Sequence, residues 1–96
     1  MSKKYCVYIL SNENKRFYIG ITSDLVRRIW EHRNAEVFGH AKKYNKIKLV
    51  YFEVFDDPEN AIKREKRLKR WNRAWKIKLI EEKNPDWNDL YDSLFK

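Results

Sequence analysis

One carboxylate in unexpected company is the first sign of chemistry in this chain. Glu65 is the only acid in the 18-residue stretch AIKREKRLKRWNRAWKIK, Ala61 to Lys78, which carries nine lysines and arginines. On a helix turning about 100° per residue, Ala61, Ile62 and Leu68 bracket Glu65, so the acid falls inside the apolar stripe. A carboxylate facing a core costs several kcal/mol unless a cation or hydrogen-bond donors hold it. Two readings meet that need: a metal ligand, or the buried partner of an arginine in a structural ion pair.

The elements that must position such a group follow from local pattern. Tyr5–Leu10 and Arg16–Thr22 are rich in β-formers and flank the polar turn SNENK, which predicts a hairpin. If Tyr8 lies opposite Tyr18, both phenols project from one face, because strand residues alternate. Thr22, Ser23 or Asp24 can cap a helix to about Ala35 that buries Leu25, Val26, Ile29 and Trp30. Arg28 and His32, four apart, flank its Leu25/Ile29 edge and can reach into a cleft together. After a loop, Glu36–Lys46, the nearly continuous apolar run Ile47–Phe55 predicts a third strand, placed centrally. Asp57-Pro58 opens a helix to about Trp71, as cap and first helical residue. Another helix runs from about Arg73 to Glu82, with Trp75, Leu79 and Ile80 inward, and Asn84-Pro85 breaks it. Trp87, Leu90, Tyr91 and Leu94 have the spacing of a short docking helix. The expected fold is α+β, sandwich-like: a small three-stranded antiparallel sheet flanked by helices, in the order ββαβαα plus a short C-terminal helix.

Residues 1–96 are expected to form a single domain, since 96 residues support one core and not two. No stretch approaches the roughly 18 apolar residues of a membrane span. The lone Cys6 leaves no internal disulfide and no likely zinc ligand set, which favours a reducing cytoplasm. The net charge is 22 − 14 = +8, and the Ala61–Lys78 stretch supplies 9 − 1 = +8 of it. The excess is therefore a patch. Nucleic acid is its commonest partner, ahead of a merely solvated face or a membrane surface. Its candidate contacts are Lys63, Arg64, Lys66, Arg67, Lys69, Arg70 and Arg73. Lys42 and Lys43, beside His40 and Tyr44, are further candidates on the loop. Trp71 and Trp75, four apart, suit core packing better than a base-stacking platform.

The order of these residues resembles the GIY-YIG nuclease superfamily, especially its small stand-alone bacterial members, relatives of the nuclease domain of the excision-repair incision subunit. Tyr18-Ile19-Gly20 keeps the second half-motif. Cys6-Val7-Tyr8 keeps the tyrosine of the first and replaces its glycine. Arg28, His32 and Glu65 fall where that family places its arginine, histidine and metal-binding glutamate, and NPDWNDL resembles the ending of the stand-alone members. The chain departs from the pattern in two places. Ile21 stands where some repair members have lysine, and neither Asn72 nor Asn84 has the spacing of the asparagine that often follows the glutamate.

The resemblance implies a structure-selective DNA endonuclease working with one divalent cation, Mg²⁺ or Mn²⁺, held by Glu65. Tyr8 or Tyr18 would take the proton of the attacking water. Arg28 would lower that phenol's pKa and bind phosphate oxygens, and His32 would orient a tyrosine or shuttle its proton. The same fold without cleavage, as a nucleic-acid-binding module, is the alternative. Taken singly, these residues have duller readings: Tyr8 and Tyr18 as strand aromatics, Gly20 as relief for a bulge, Arg28 as surface charge and His32 as a half-buried helix histidine. A protein partner or a homodimer also fits so small a chain.

Overall fold

The computed structural model describes residues 3–34 and 47–95. The elements run β1 (Tyr5–Ser11), β2 (Phe17–Thr22), α1 (Leu25–Arg33), β3 (Lys48–Phe55), α2 (Pro58–Arg70) and α3 (Arg73–Lys83), then a 3₁₀ turn over Asp92–Phe95. Capping sets the helix starts. Asp24 accepts the backbone N–H of Arg27 at 3.2 Å, and Asp57 accepts that of Asn60 at 3.0 Å, with Pro58 in the first turn behind it. Asn72 starts α3 in the same way, accepting the N–H of Trp75 at 2.9 Å.

The three strands form an antiparallel sheet ordered β2-β1-β3. β1 is therefore central, and the expectation of a central β3 is corrected. Its long apolar run has a different cause. The pairing shifts between Ile9↔Tyr51 and Leu10↔Leu49, so one extra residue of β3 is inserted there. Val50 and Tyr51 then join one apolar cluster while Leu49 joins the other. The first cluster sets Val7, Ile9 and Ile19 against Ala61, Leu68 and Ile80 from α2 and α3. The second sets Tyr8 and Leu10 against Leu25 and Ile29 from α1. Successive β1 residues thus feed opposite faces, both of them covered.

Three apolar side chains assigned inward point out: Trp30, Ile62 and Trp75 are exposed. The tail docks through Leu90, Tyr91 and Leu94 as expected, but its helix is a 3₁₀ turn confined to Asp92–Phe95 and does not reach back to Trp87. Trp87 takes a left-handed backbone (φ 56°), rare for a bulky residue, and breaks the helical path. Phe17, stacked on its ring at 5.9 Å, and Glu81, accepting its indole N–H at 2.7 Å, hold it there. The chain then runs beside β3. The Leu90 N–H reaches the Leu49 carbonyl at 2.8 Å, and Asp89 accepts the Leu49 N–H at 3.1 Å, so the open edge of β3 is capped.

Candidate active site

The hairpin register places Tyr8 opposite Gly20, while Tyr18 faces Leu10. Tyr8 and Tyr18 are thus offset by two residue pairs along the ladder, on the same sheet face. Their rings lie 6.2 Å apart, so the expectation of two phenols on one side holds with a different pairing. Tyr8 is buried, whereas Tyr18 is 52% exposed. Gly20 relieves no bulge. A Cβ there would lie 2.6 Å from Tyr8 Cζ and 3.0 Å from Cε1, and closer still to the hydroxyl. The glycine leaves the space that the Tyr8 ring fills.

α1 brings His32 to these phenols. Its Nε2 lies 3.3 Å from Tyr8 Oη, and its ring centroid is 4.9 Å from that of Tyr18. Burial, and then the Arg28 charge, push the His32 pKa below the ordinary imidazole value despite Glu31. Burial also raises the Tyr8 phenol far above its usual range. The neighbouring Tyr18 adds to that rise, Arg28 opposes it, and the Glu65 charge raises it further. Arg28 is exposed, and its guanidinium sits 3.6 Å from Glu31, a loose ion pair along α1. Glu31 was not singled out in the sequence. Its spacing three residues after Arg28 was the available signal.

Glu65 projects from α2 with its side chain only 15% exposed, and Lys69 Nζ approaches Oε2 at 3.2 Å. Among the described residues no three His, Cys, Asp or Glu side chains cluster as a ready-made metal cage. A cation at Glu65 would have one protein carboxylate and would complete its shell with water and substrate oxygens. Hard divalent ions, Mg²⁺ above all, accept such a set. The carboxylate already takes a positive charge from Lys69.

The basic patch divides by local partners. Lys63, Lys66, Arg67 and Arg70 line a groove of about 430 Å³ with Trp71 and Trp75. Arg73 lies over the Phe17 ring at 4.7 Å. Arg64 is different. It donates two hydrogen bonds, 2.9 and 2.8 Å, to Glu53, and its guanidinium also lies 5.3 Å from the Trp71 ring centroid. Its planar fork is already matched to a carboxylate, which sets it apart from the other basic residues of α2. Tyr51 donates to the same Glu53. A half-buried ion pair of the kind expected for an inward acid thus joins Arg64 of α2 to Glu53 of β3, an acid in the apolar run that the sequence did not mark. Lys42, Lys43 and His40 lie outside the described residues.

Both asparagines are committed to the fold. Asn72 is the α3 cap. Asn84 is buried, donating to the Val50 and Asn88 carbonyls at 3.1 and 2.9 Å and accepting the Asn88 N–H at 2.9 Å.

Residues 4–78 match the GIY-YIG catalytic domain. The UPF0213 protein of Staphylococcus saprophyticus is 35% identical over 79 residues, spanning 82% of this chain and 96% of that protein. A UPF0213 protein of Syntrophus aciditrophicus is 38% identical over 90 residues, 90% of this chain and 98% of the relative. The solution structure of a UPF0213 protein from Bacillus halodurans superposes with a TM-score of 0.59 at 28% identity, covering 90% and 92% of the two chains. This chain spans nearly the full length of these relatives, so they too are built on one small unit of this size. The chain belongs to the GIY-YIG family, among its small members.

Proposed function

We propose that this protein is a metal-dependent, structure-selective endonuclease that hydrolyses phosphodiester bonds, in DNA first. The observation that carries the reading is the position of Tyr8: a buried phenol, 3.3 Å from an imidazole kept uncharged at neutral pH, within the fields of both Arg28 and Glu65.

Hydrolysis needs a deprotonated water, charge stabilisation on the phosphoryl oxygens and a proton for the departing oxygen. With its hydrogen on Nδ1, neutral His32 accepts the Tyr8 proton through Nε2, leaving a phenolate to take a proton from the attacking water. The departing oxygen is protonated from solvent, and His32 releases the proton it took to solvent, which restores the neutral pair. Without a cation the transfer from Tyr8 to His32 is uphill, because burial, Tyr18 and the Glu65 charge favour the neutral phenol and burial and Arg28 favour the neutral imidazole. Glu65 would hold Mg²⁺ or Mn²⁺, which when bound supplies positive charge to a phosphoryl oxygen and offsets the negative field that Glu65 exerts on Tyr8. The loose Arg28–Glu31 pair leaves the guanidinium free to turn its fork toward a phosphate. Tyr18, half open to solvent beside both groups, forms the wall against which the reacting phosphate rests.

A second reading, a binding module that cleaves slowly or not at all, is favoured by one observation: Asn72 and Asn84 are both spent on the fold. Labelled single-stranded, duplex, flapped and nicked DNA, incubated with Mg²⁺, Mn²⁺ or chelator, separates the two. Product that needs metal and differs among the structures supports the enzyme. Binding to the panel with no product under any condition supports the module.

A further inference from the structure

Trp75 is a large aromatic side chain left open to solvent. It is 56% exposed on the first turn of α3, edge-on to Trp71 with centroids 5.7 Å apart and planes at 89°. Trp71 is half-buried against the core, and Arg64 lies near its ring. Trp75 stands instead as a fin with a groove on each side. The larger groove is walled by Lys63, Lys66, Arg67 and Arg70, with no carboxylate among its lining residues. The smaller, of about 240 Å³, contains Lys78 and Glu82, whose charges offset one another. Four cations around an exposed indole, with no carboxylate among the described residues lining their groove, suit a polyanion that also carries flat aromatic groups.

We propose that this groove is a binding subsite for single-stranded nucleic acid, in which an unpaired base stacks on Trp75 while Lys63, Lys66, Arg67 and Arg70 hold the flanking phosphates. Duplex DNA fits it poorly, because paired bases keep their faces inside the stack and offer the groove only phosphates. The subsite deepens the nuclease reading and rests on it for the identity of the polyanion. Its position on α2 supports that link. At about 100° per residue, Lys69 lies about 40° around the helix from Glu65, Lys66 about 100°, and Arg70, Lys63 and Arg67 farther round the same way. A strand leaving Glu65 in that direction passes Lys69, the exposed Ile62 and Lys66 before it reaches the groove at Trp75.

Affinities measured by fluorescence anisotropy on the full chain, in chelator so that cleavage plays no part, test this directly. The probes are fluorescein-labelled oligothymidylate, an abasic strand of equal length and a blunt hairpin duplex. Trp75→Ala is expected to weaken oligothymidylate binding between about fivefold and a hundredfold, leave the duplex within twofold, and make the abasic and thymidylate strands equivalent. Trp75→Phe is expected to keep most of the affinity. For the unmodified protein, the abasic strand should already bind about fivefold to a hundredfold more weakly than oligothymidylate, a comparison that needs no variant to fold. Equal binding of abasic and thymidylate strands by the unmodified protein, or an equal loss on strand and duplex in Trp75→Ala, overturns the subsite. So does binding of polyglutamate as tightly as of oligothymidylate, which would mark an acidic protein partner. None of these results depends on turnover, so the subsite can fail while metal-dependent cleavage stands, and the reverse.

Discussion

Gly20 and Tyr8 face each other across the β1–β2 ladder, and the phenol ring occupies the space that any side chain at position 20 would need. The glycine of the Tyr18-Ile19-Gly20 motif is thereby explained by close approach, not by an unusual backbone. Because Tyr8 is buried among Leu10, Leu25 and Ile29, it has nowhere to retreat. Gly20→Ala is expected to cost about 1–3 kcal/mol through overpacking. It should also lower cleavage at least tenfold at temperatures where the variant is folded, by moving Oη away from His32. Thermal unfolding and rates on one substrate, compared side by side, check both effects.

The His32–Tyr8 contact sets a pH dependence. If neutral His32 must accept a proton, activity falls on the acid side as the imidazole becomes charged, and the midpoint lies below the free value of 6.5 because the folded-state pKa is lowered. The stability sign follows from the same shift. Below that value the unfolded chain takes up the proton more readily, so the stabilisation is complete above about 6.5 and fades as pH falls through the window beneath it. An NMR titration of the His32 ring should give a midpoint under 6.5. A value at or above it removes the proton-accepting role.

Arg64 and Glu53 should matter for stability and not for nucleic acid. Burial works against the charged Glu53, but the hydrogen bonds from Arg64 and Tyr51 prevail and its pKa is lowered. That stabilisation is present above the ordinary carboxylate value and is lost as pH falls through the lowered one. Arg64→Leu is expected to cost about 2 kcal/mol, the scale of hydrogen bonds to a charged group, while DNA affinity stays within twofold. Lys66→Ala or Arg70→Ala should show the opposite pattern, with a shallower salt dependence of binding. Denaturant midpoints and binding isotherms in a salt series distinguish the two classes.

Much of this was legible from residue types. Asp24, Asp57 and Asn72 cap helices because their side chains satisfy local N–H groups, a decision taken within four residues. Glu65 was visible as an inward acid because helical period alone places it beside Ala61 and Leu68. What escaped depended on distant partners. β3 reads as a central strand because an inserted residue and two covered faces remove its alternation, and the register that produces this is fixed only on pairing with β1. The Arg64–Glu53 pair joins residues 11 apart on two elements. Helical spacing placed Trp30 and Trp75 inward, but how far a stripe is covered depends on the elements packed against it. The tail's periodicity suggested a helix, yet Trp87 is held in a left-handed backbone by Phe17 and Glu81, neither of which the local pattern reveals.

Arg28 acts through the shape of its fork as well as its charge, so Arg28→Lys should still reduce the cleavage rate at least tenfold. Because Arg28 is exposed and its pair with Glu31 is loose, thermal stability should change little. A rate near that of the unmodified protein would reduce Arg28 to a surface charge.

The central claim is that the hairpin phenols, His32 and Glu65 share one cation, and paramagnetic broadening by Mn²⁺ tests it most directly. In protein bound to an uncleavable phosphorothioate strand, substoichiometric Mn²⁺ is predicted to broaden the NMR signals of Tyr8, Tyr18 and His32 together with those around Glu65, and to spare them in Glu65→Gln. Broadening centred elsewhere on the chain, or unchanged in Glu65→Gln, would contradict the account.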